Sequence, residues 1–185
     1  MTTAASSHGV VQLLIVQFAA FLAALLWASA LHKLIRAQRA QAVIREFAGI
    51  PRRIAPLAVM AVATTELLAG IFLWMPAFRA AGGALAVLIW GGYSWLILRA
   101  IAQGRRDVDC GCSFGAAERP LGAYHVVRNA ALAGAALLVA AGCAMSETGA
   151  PVAASQILAA VALLTLYEAL DQVMALTAPR SGALS

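Results

Sequence analysis

Five long apolar runs constrain the fold of this chain more than any other feature. Each is close to the ~20 residues that a helix needs to cross a bilayer. They cover residues 10–32, 55–75, 80–101, 123–145 and 153–176. Charged residues make up only 11% of the chain, against about 25% in soluble domains, so the composition argues against a water-soluble core. The sequence predicts an all-α fold, with residues 1–185 forming one membrane domain built as a bundle of five transmembrane helices.

Residues 34–54, between the first two runs, mix basic and apolar side chains. The basic members are Arg36, Arg39, Arg45, Arg52 and Arg53, with Ile35, Val43, Ile44 and Phe47 between them. This mixture is typical of a helix that lies on an anionic membrane surface. A solvated basic loop is the alternative.

The distribution of Lys and Arg predicts the orientation in the membrane. If the five runs all cross, twelve of the thirteen Lys and Arg residues fall on one side, and only Arg79 falls on the other. By the positive-inside rule, the N-terminus is then periplasmic and the C-terminus cytoplasmic in a bacterial inner membrane. The net charge of +5 therefore indicates topology rather than nucleic-acid binding, and the lipid bilayer is the partner that composition implies.

The polar segment 103–122 contains Cys110 and Cys112, separated by one glycine, in a chain with three cysteines. A disulfide between them would close a very small ring, and strained disulfides are readily reduced and often catalytic. The pattern favours a redox-active pair. The alternatives are half of a metal site, for which only His125 is near in sequence, and two inert thiols. Cys143, near the far end of the fourth run, is interpreted as a buried bystander.

Glu66 is the second candidate for chemistry, because it lies near the membrane midplane. It comes about 11 residues into the second run, or about 16 Å along a helix. A carboxylate at this depth is costly and usually marks a function or a specific partner. It could stay protonated, shuttle a proton, pair with a base, or form an interhelical hydrogen bond. We predict that Glu66, Lys33 and Arg128 form a polar cluster that supports the two cysteines.

Further polar residues lie in the fourth and fifth runs. Glu168 and Asp171 are three apart and share a helix face, where either could pair with Arg128. Such a pairing is more often structural than catalytic. His125, close to the start of the fourth run, could donate a proton to a thiolate, but a lone histidine at the interface is more often solvated.

Several motifs together resemble the methylamine utilization protein MauE family, small multi-span membrane proteins related to the DoxX-like group. The matching residues are Lys33-Leu34, the run from Glu66 to Gly70, the loop from Asp109 to Gly115, and Arg128-Asn129. The Cys-Gly-Cys motif, followed by Phe-Gly and then Arg-Asn, is the specific part. Ser113 departs from the pattern of shorter relatives, which have Phe directly after the second Cys.

The resemblance implies a role in maturing periplasmic methylamine dehydrogenase, whose small subunit carries several disulfides. MauD, a thioredoxin-like protein, would be the partner in thiol–disulfide exchange or electron relay. The alternatives are a non-catalytic membrane scaffold for that partner, a quinone-linked oxidoreductase subunit, and a transporter that uses Glu66. Quinone is the one cofactor that these alternatives include, and no metal is predicted.

The predicted topology and the implied client conflict at one point. The client is periplasmic, whereas the charge distribution draws Cys110 and Cys112 to the cytoplasmic face. Either the loop folds into the bundle, or the pair relays electrons across the membrane, or the orientation is wrong.

Overall fold

The computed structural model describes residues 2–105, 123–144 and 154–177, and every long element in them is a helix. The helices are α1 (Thr2–Ile35), α2 (Ala37–Ala48), α3 (Ala55–Trp74), α4 (Arg79–Ala102), α5 (Ala123–Ala144) and α6 (Ala154–Thr177), with one 3-10 turn at Pro76–Phe78. Five helices are long and apolar enough to cross a membrane: Gly9–Ile35, Ala55–Trp74, Pro76–Ala102, Ala123–Cys143 and Ala154–Val173. The predicted all-α, multi-span fold class is confirmed.

Helix α1 forms the centre of the bundle, because it packs against α3, α5 and α6. Small side chains on it, such as Ala19, Ala23 and Ala30, are completely buried. Within a membrane, helix association depends on close packing rather than on the hydrophobic effect, so small residues at contacts let helices approach closely. Leu22 and Leu26 fill the spaces between these contacts.

Helices α4 and α5 pack extensively along each other, and at Gly83 the two backbones are in close contact. A Cβ atom at this position would lie 2.8 Å from the Ala136 carbonyl oxygen and 2.9 Å from the Ala140 Cβ atom. Gly91, two turns further along, differs, because a Cβ atom there would meet nothing within 4 Å. The sequence does not distinguish these two glycines, and their different surroundings are seen only in the tertiary structure.

The basic segment after α1 is helical, so a loop is the wrong alternative there. The chain breaks at Arg36 (φ −107°, ψ 45°), continues as α2 and ends at Gly49 in the left-handed conformation (φ 67°). Glycine takes this conformation without the steric cost that a Cβ atom brings. The apolar side chains of α2 share one face at helical spacing, and this face turns toward α3 and α4.

Successive spans run in opposite directions, so one end of the bundle collects most of the basic residues. The C-termini of α1, α4 and α6 and the N-termini of α3 and α5 share this end with α2. We call it the basic end, after Lys33, Arg99 and Arg128, which lie toward it. Arg79, at the start of α4, lies at the opposite end.

Candidate functional site

The Glu66 carboxylate, which is fully buried on α3, is the centre of a polar cluster. Its Oε1 atom accepts hydrogen bonds from Lys33 Nζ (2.8 Å), Ser29 Oγ (2.9 Å) and Tyr93 Oη (2.6 Å). Its Oε2 atom accepts a second bond from Lys33 Nζ at 3.0 Å. We call Ser29, Lys33, Glu66 and Tyr93 the Glu66 cluster; it joins α1, α3 and α4, with Glu66 near the middle of α3 and Lys33 toward the basic end.

Helical spacing explains how the two α1 members meet Glu66. Ser29 and Lys33 are four residues apart, so both side chains lie on one side of α1, and Lys33 Nζ also donates to Ser29 Oγ at 2.6 Å. The Lys33 ammonium lies 5.3 Å from the centre of the Tyr93 ring, within the range of a cation–π interaction. Buried charges are tolerated when they are paired and hydrogen-bonded, and both conditions hold here.

The arrangement surrounds the Glu66 carboxylate with hydrogen-bond donors from two other helices. A carboxylate that accepts from an ammonium, a phenol and a hydroxyl faces three groups carrying transferable or rotatable protons. Charge-assisted hydrogen bonds of this length are strong and well oriented. The predicted pairing of Lys33 with Glu66 therefore exists, and it is direct.

Arg128 has a different partner. Its Nη1 atom donates to Asp171 Oδ1 at 3.2 Å, and Tyr124 Oη donates to the same oxygen at 3.0 Å. Glu168 lies close enough to interact electrostatically with Arg128 and Asp171. Within the described residues the backbones of α5 and α6 do not pack on each other, so these long side chains bridge the gap between the two helices.

A small cavity of about 30 Å³ lies between the two polar groups. Ser29 and Tyr93 line it on one side, and Arg128 and Asn129 line it on the other. Asn129 is 2% exposed, and its Nδ2 atom has no hydrogen-bond partner among the described residues. A polar cavity of roughly 10–15 Å³ can already hold one water molecule. Arg128 therefore faces the Glu66 cluster across a space of water size, while its own ion pair is with Asp171.

Cys110 and Cys112 lie outside the described residues. Before that segment, the described chain stops at Arg105, whose Nη1 atom donates to the Glu46 carbonyl oxygen of α2 at 2.6 Å. This bond holds the end of the α4 connection against α2 at the basic end. The chain is described again from Ala123, at the start of α5.

Cys143 is a free, half-buried thiol near the end of α5, at the opposite end from the basic residues. It lies beside Arg79, which is fully buried and whose Nε atom donates to the Leu73 carbonyl oxygen at 3.1 Å. The expectation of a buried bystander thus holds only in part, since Cys143 has a charged neighbour.

His125 is buried rather than solvated, so the expectation of a solvated histidine is wrong. The residue is 3% exposed, and its ring lies 5.6 Å from that of Tyr124.

Sequence inspection missed three members of these networks. Ser29 and Tyr93 belong to the Glu66 cluster, and the only available signal was that each places a hydroxyl within an apolar run. Arg79 looks like an ordinary loop charge, since it follows Met75-Pro76 in a short connection. Its burial depends on how α3 and α4 close around it.

Comparison with known proteins identifies the family. The sequence model described as methylamine utilisation protein MauE matches residues 11–142. The chain belongs to the MauE family. It is similar to the methylamine utilization protein MauE of Methylophilus methylotrophus, at 32% identity over 127 residues, which cover 65% of this chain and 64% of that protein. It is also similar to the one from Paracoccus denitrificans, at 31% identity over 125 residues, or 66% of each chain.

The chain spans slightly less than two thirds of the length of these two MauE proteins. No solved structure matches the chain. The MauE match contains the whole Glu66 cluster, Cys110, Cys112 and Arg128, but it ends before Asp171. Asp171, which forms an ion pair with Arg128, therefore lies outside the residues that the MauE model matches.

Proposed function

We propose that this protein serves methylamine utilisation as a multi-pass protein of the bacterial inner membrane, where it supports maturation of periplasmic methylamine dehydrogenase. Cys110 and Cys112 would exchange disulfides with MauD, a thioredoxin-like partner, and the small subunit of the dehydrogenase would be the client. Membership of the MauE family supports the role in methylamine utilisation, and the five apolar helices support the place in a membrane.

The observation that carries the thiol-exchange proposal is the Glu66 cluster. In thiol–disulfide exchange a thiolate attacks a disulfide, and the departing sulfur takes up a proton. When the Cys110–Cys112 disulfide accepts two electrons from a partner dithiol, its S–S bond breaks and an S–S bond forms in the partner. Two protons then move from the partner thiols to Cys110 and Cys112. A buried acid with an ammonium and a phenol bonded to it is suited to hold and pass these protons.

The position of the cluster is consistent with this role. The segment that contains Cys110 and Cys112 connects α4 to α5 at the basic end, and Lys33 lies at that end. The small cavity between Tyr93 and Arg128 has room for a water that could extend proton transfer toward α5. We propose the orientation that the charge distribution predicts, with the N-terminus periplasmic and the C-terminus cytoplasmic. Electrons would then pass from the thiols of the periplasmic client, by way of MauD, to the Cys110–Cys112 disulfide at the basic end.

Client disulfides in cells test this proposal. The double variant Cys110→Ser/Cys112→Ser should leave the dehydrogenase small subunit with free thiols, measured by alkylation and mass spectrometry. The matched control is Cys143→Ser, which removes the third thiol and should leave client disulfides intact. Normal client disulfides in the double variant, at wild-type membrane levels, would exclude thiol exchange and favour the non-catalytic scaffold.

The scaffold remains the second candidate because the Lys33–Glu66 ion pair also ties α1 to α3. A variant without either charge, Lys33→Met/Glu66→Met, separates the two roles. If the cluster handles protons, this variant inserts and folds but matures the client slowly. If the cluster is only a structural link, client maturation continues at the wild-type rate.

A further inference from the structure

Asn129, on α5, carries a buried amide group whose donor has no partner in the described part of the chain. The residue is 2% exposed, and its Nδ2 atom forms no hydrogen bond with any described residue. A buried donor without a hydrogen bond is destabilising, and most buried polar side-chain atoms are bonded either to protein or to an ordered water. Asn129 therefore needs a polar partner that the described residues do not supply.

The small cavity beside Asn129 brings this amide close to the Glu66 cluster. Its volume is about 30 Å³, and Ser29 and Tyr93 of the cluster line its other side. Since roughly 10–15 Å³ holds one water molecule, this cavity has space for one or two. The other residues around it are Leu25, Trp90, Arg128, Leu132 and Tyr167. A ligand of this site must be very small and must accept a hydrogen bond from the Asn129 amide.

The charges near the cavity favour a neutral ligand. Arg128 donates to the Asp171 carboxylate at 3.2 Å. Lys33, which is bonded to Ser29, lies 2.8 Å from the Glu66 carboxylate. Because each of these cations has a carboxylate at hydrogen-bond distance, neither strongly attracts a further anion. A neutral molecule of this size that both accepts and donates hydrogen bonds is water.

We propose that this cavity is a binding site for an internal water molecule, which accepts a hydrogen bond from Asn129 Nδ2 and donates one to Ser29 Oγ. The Ser29 hydroxyl donates to Glu66 Oε1 at 2.9 Å and accepts from Lys33 Nζ at 2.6 Å. A hydroxyl oxygen has two lone pairs, so Ser29 can accept one bond more. Two polar partners are sufficient to hold a buried water.

This water extends the Glu66 cluster to a fourth helix, α5, through Asn129. Arg128, the preceding residue, connects α5 to α6 instead, through Asp171. The two neighbours on α5 therefore have separate partners. Binding of the water requires no thiol chemistry, so the site can be tested whether or not the proposed function holds.

X-ray footprinting of the full-length protein in detergent tests the site. The beam forms hydroxyl radicals from bound water, and these radicals oxidise the side chains that touch it. Trp90 lines the cavity and Phe21 does not, although both are buried. After correction for the intrinsic reactivity of each amino acid, Trp90 should be oxidised well above Phe21. Equal oxidation of the two would mean that the cavity is dry, and would overturn the proposal.

Three variants test whether Asn129 holds the water. Asn129→Leu keeps a side chain of similar volume without a donor, and the oxidation of Trp90 should fall to the level of Phe21. Asn129→Ser keeps a donor and leaves more space, so the oxidation should persist. Ser94→Ala, the matched control, removes another buried and unbonded polar group that does not line the cavity, and should change nothing. Undiminished oxidation of Trp90 in Asn129→Leu would overturn the role of Asn129.

A double-mutant cycle supplies a second, independent measurement. Asn129 and Ser29 are not bonded to each other, but a shared water should make their effects on thermal stability non-additive. The loss from Asn129→Leu/Ser29→Ala should be smaller than the sum of the two single losses, whereas Ser94→Ala/Ser29→Ala should be additive. Additive losses in both cycles would overturn the shared water. Stabilisation of wild type by chloride but not by sulfate, lost in Asn129→Leu, would identify an anion instead.

Discussion

The Lys33 ammonium and the Glu66 carboxylate are joined by hydrogen bonds of 2.8 and 3.0 Å, although the residues are 33 positions apart. The Glu66 side chain is 1% exposed and that of Lys33 is 12% exposed. An isolated charge at this depth in a membrane is costly, so each residue makes the other tolerable. Ser29 and Tyr93 donate two further hydrogen bonds to the carboxylate. The four side chains together link α1, α3 and α4.

Removing one charge of this pair should destabilise the protein more than removing both. Lys33→Met leaves a buried carboxylate without its cation, which should cost about 3 kcal/mol of unfolding free energy. Lys33→Met/Glu66→Met should recover most of that loss, because neither charge remains buried. Thermal unfolding in one detergent measures the difference, with Lys33→Arg as the charge-conserving control. A double variant as unstable as the single one would contradict this account.

Tyr93→Phe should separate proton handling from packing. The change keeps the ring over Lys33 but removes the 2.6 Å hydrogen bond to the Glu66 carboxylate, at a cost of about 1.5–3 kcal/mol. If Tyr93 passes protons, reduction of the Cys110–Cys112 disulfide by a soluble dithiol should slow, and its pH profile should shift. Trp95→Phe, on an exposed face of α4, is the control. Identical pH profiles for wild type and Tyr93→Phe would show that Tyr93 does not transfer protons in this reaction.

Gly83→Ala should weaken the α4–α5 contact. The new methyl group would lie 2.8 Å from the Ala136 carbonyl oxygen, so the helices must separate, at a cost typical of overpacking, about 1–3 kcal/mol. Gly91→Ala on the same helix places a methyl group in open space and should leave stability unchanged or slightly higher. Thermal midpoints compare the two. Similar midpoints would mean that α4 and α5 are not in close contact at Gly83.

Double-mutant cycles should show that Arg128 is coupled to Asp171 and hardly to Glu66. The Arg128–Asp171 bond is direct at 3.2 Å, and such polar pairs in membrane proteins contribute about 0.6 kcal/mol, with a maximum near 1.7. The cycle from Arg128→Gln and Asp171→Asn should give a coupling in this range. The coupling energy from the cycle of Arg128→Gln and Glu66→Gln should be close to zero. A coupling as large as the first would show that Arg128 belongs to the same cluster as Glu66 and Lys33, as the sequence predicts.

Thiol labelling with a membrane-impermeant maleimide tests the orientation. By the positive-inside rule, Cys110 and Cys112 should react in inverted vesicles and stay protected in intact cells. An Ala77→Cys variant in a Cys143→Ser background, at the exposed connection between α3 and α4, should react from the opposite side. Labelling of Cys110 and Cys112 from outside would reverse the orientation and place the pair directly beside a periplasmic client.

The spans could be predicted from sequence because each depends on a local property, about 20 consecutive apolar residues. The Lys33–Glu66 pairing could also be anticipated in part, since a charge within an apolar run needs a partner. The sequence could not show whether Arg128 belongs to the same cluster. Sequence shows that Arg128 lies near the basic end, but the choice between Glu66 and the α6 carboxylates depends on how the helices are arranged around α1.

Sequence alone therefore determines that this chain is a helical membrane protein with a buried acid, a basic end and a cysteine pair, because apolar length and charge placement are properties of the linear chain. Tertiary structure decides that Tyr93 and Ser29 meet Glu66, that Arg79 is buried beside Cys143, and that Asn129 lines a small cavity together with Ser29. These contacts join residues on different helices. Their geometry follows from helix rotation and close packing, which a hydropathy pattern does not specify.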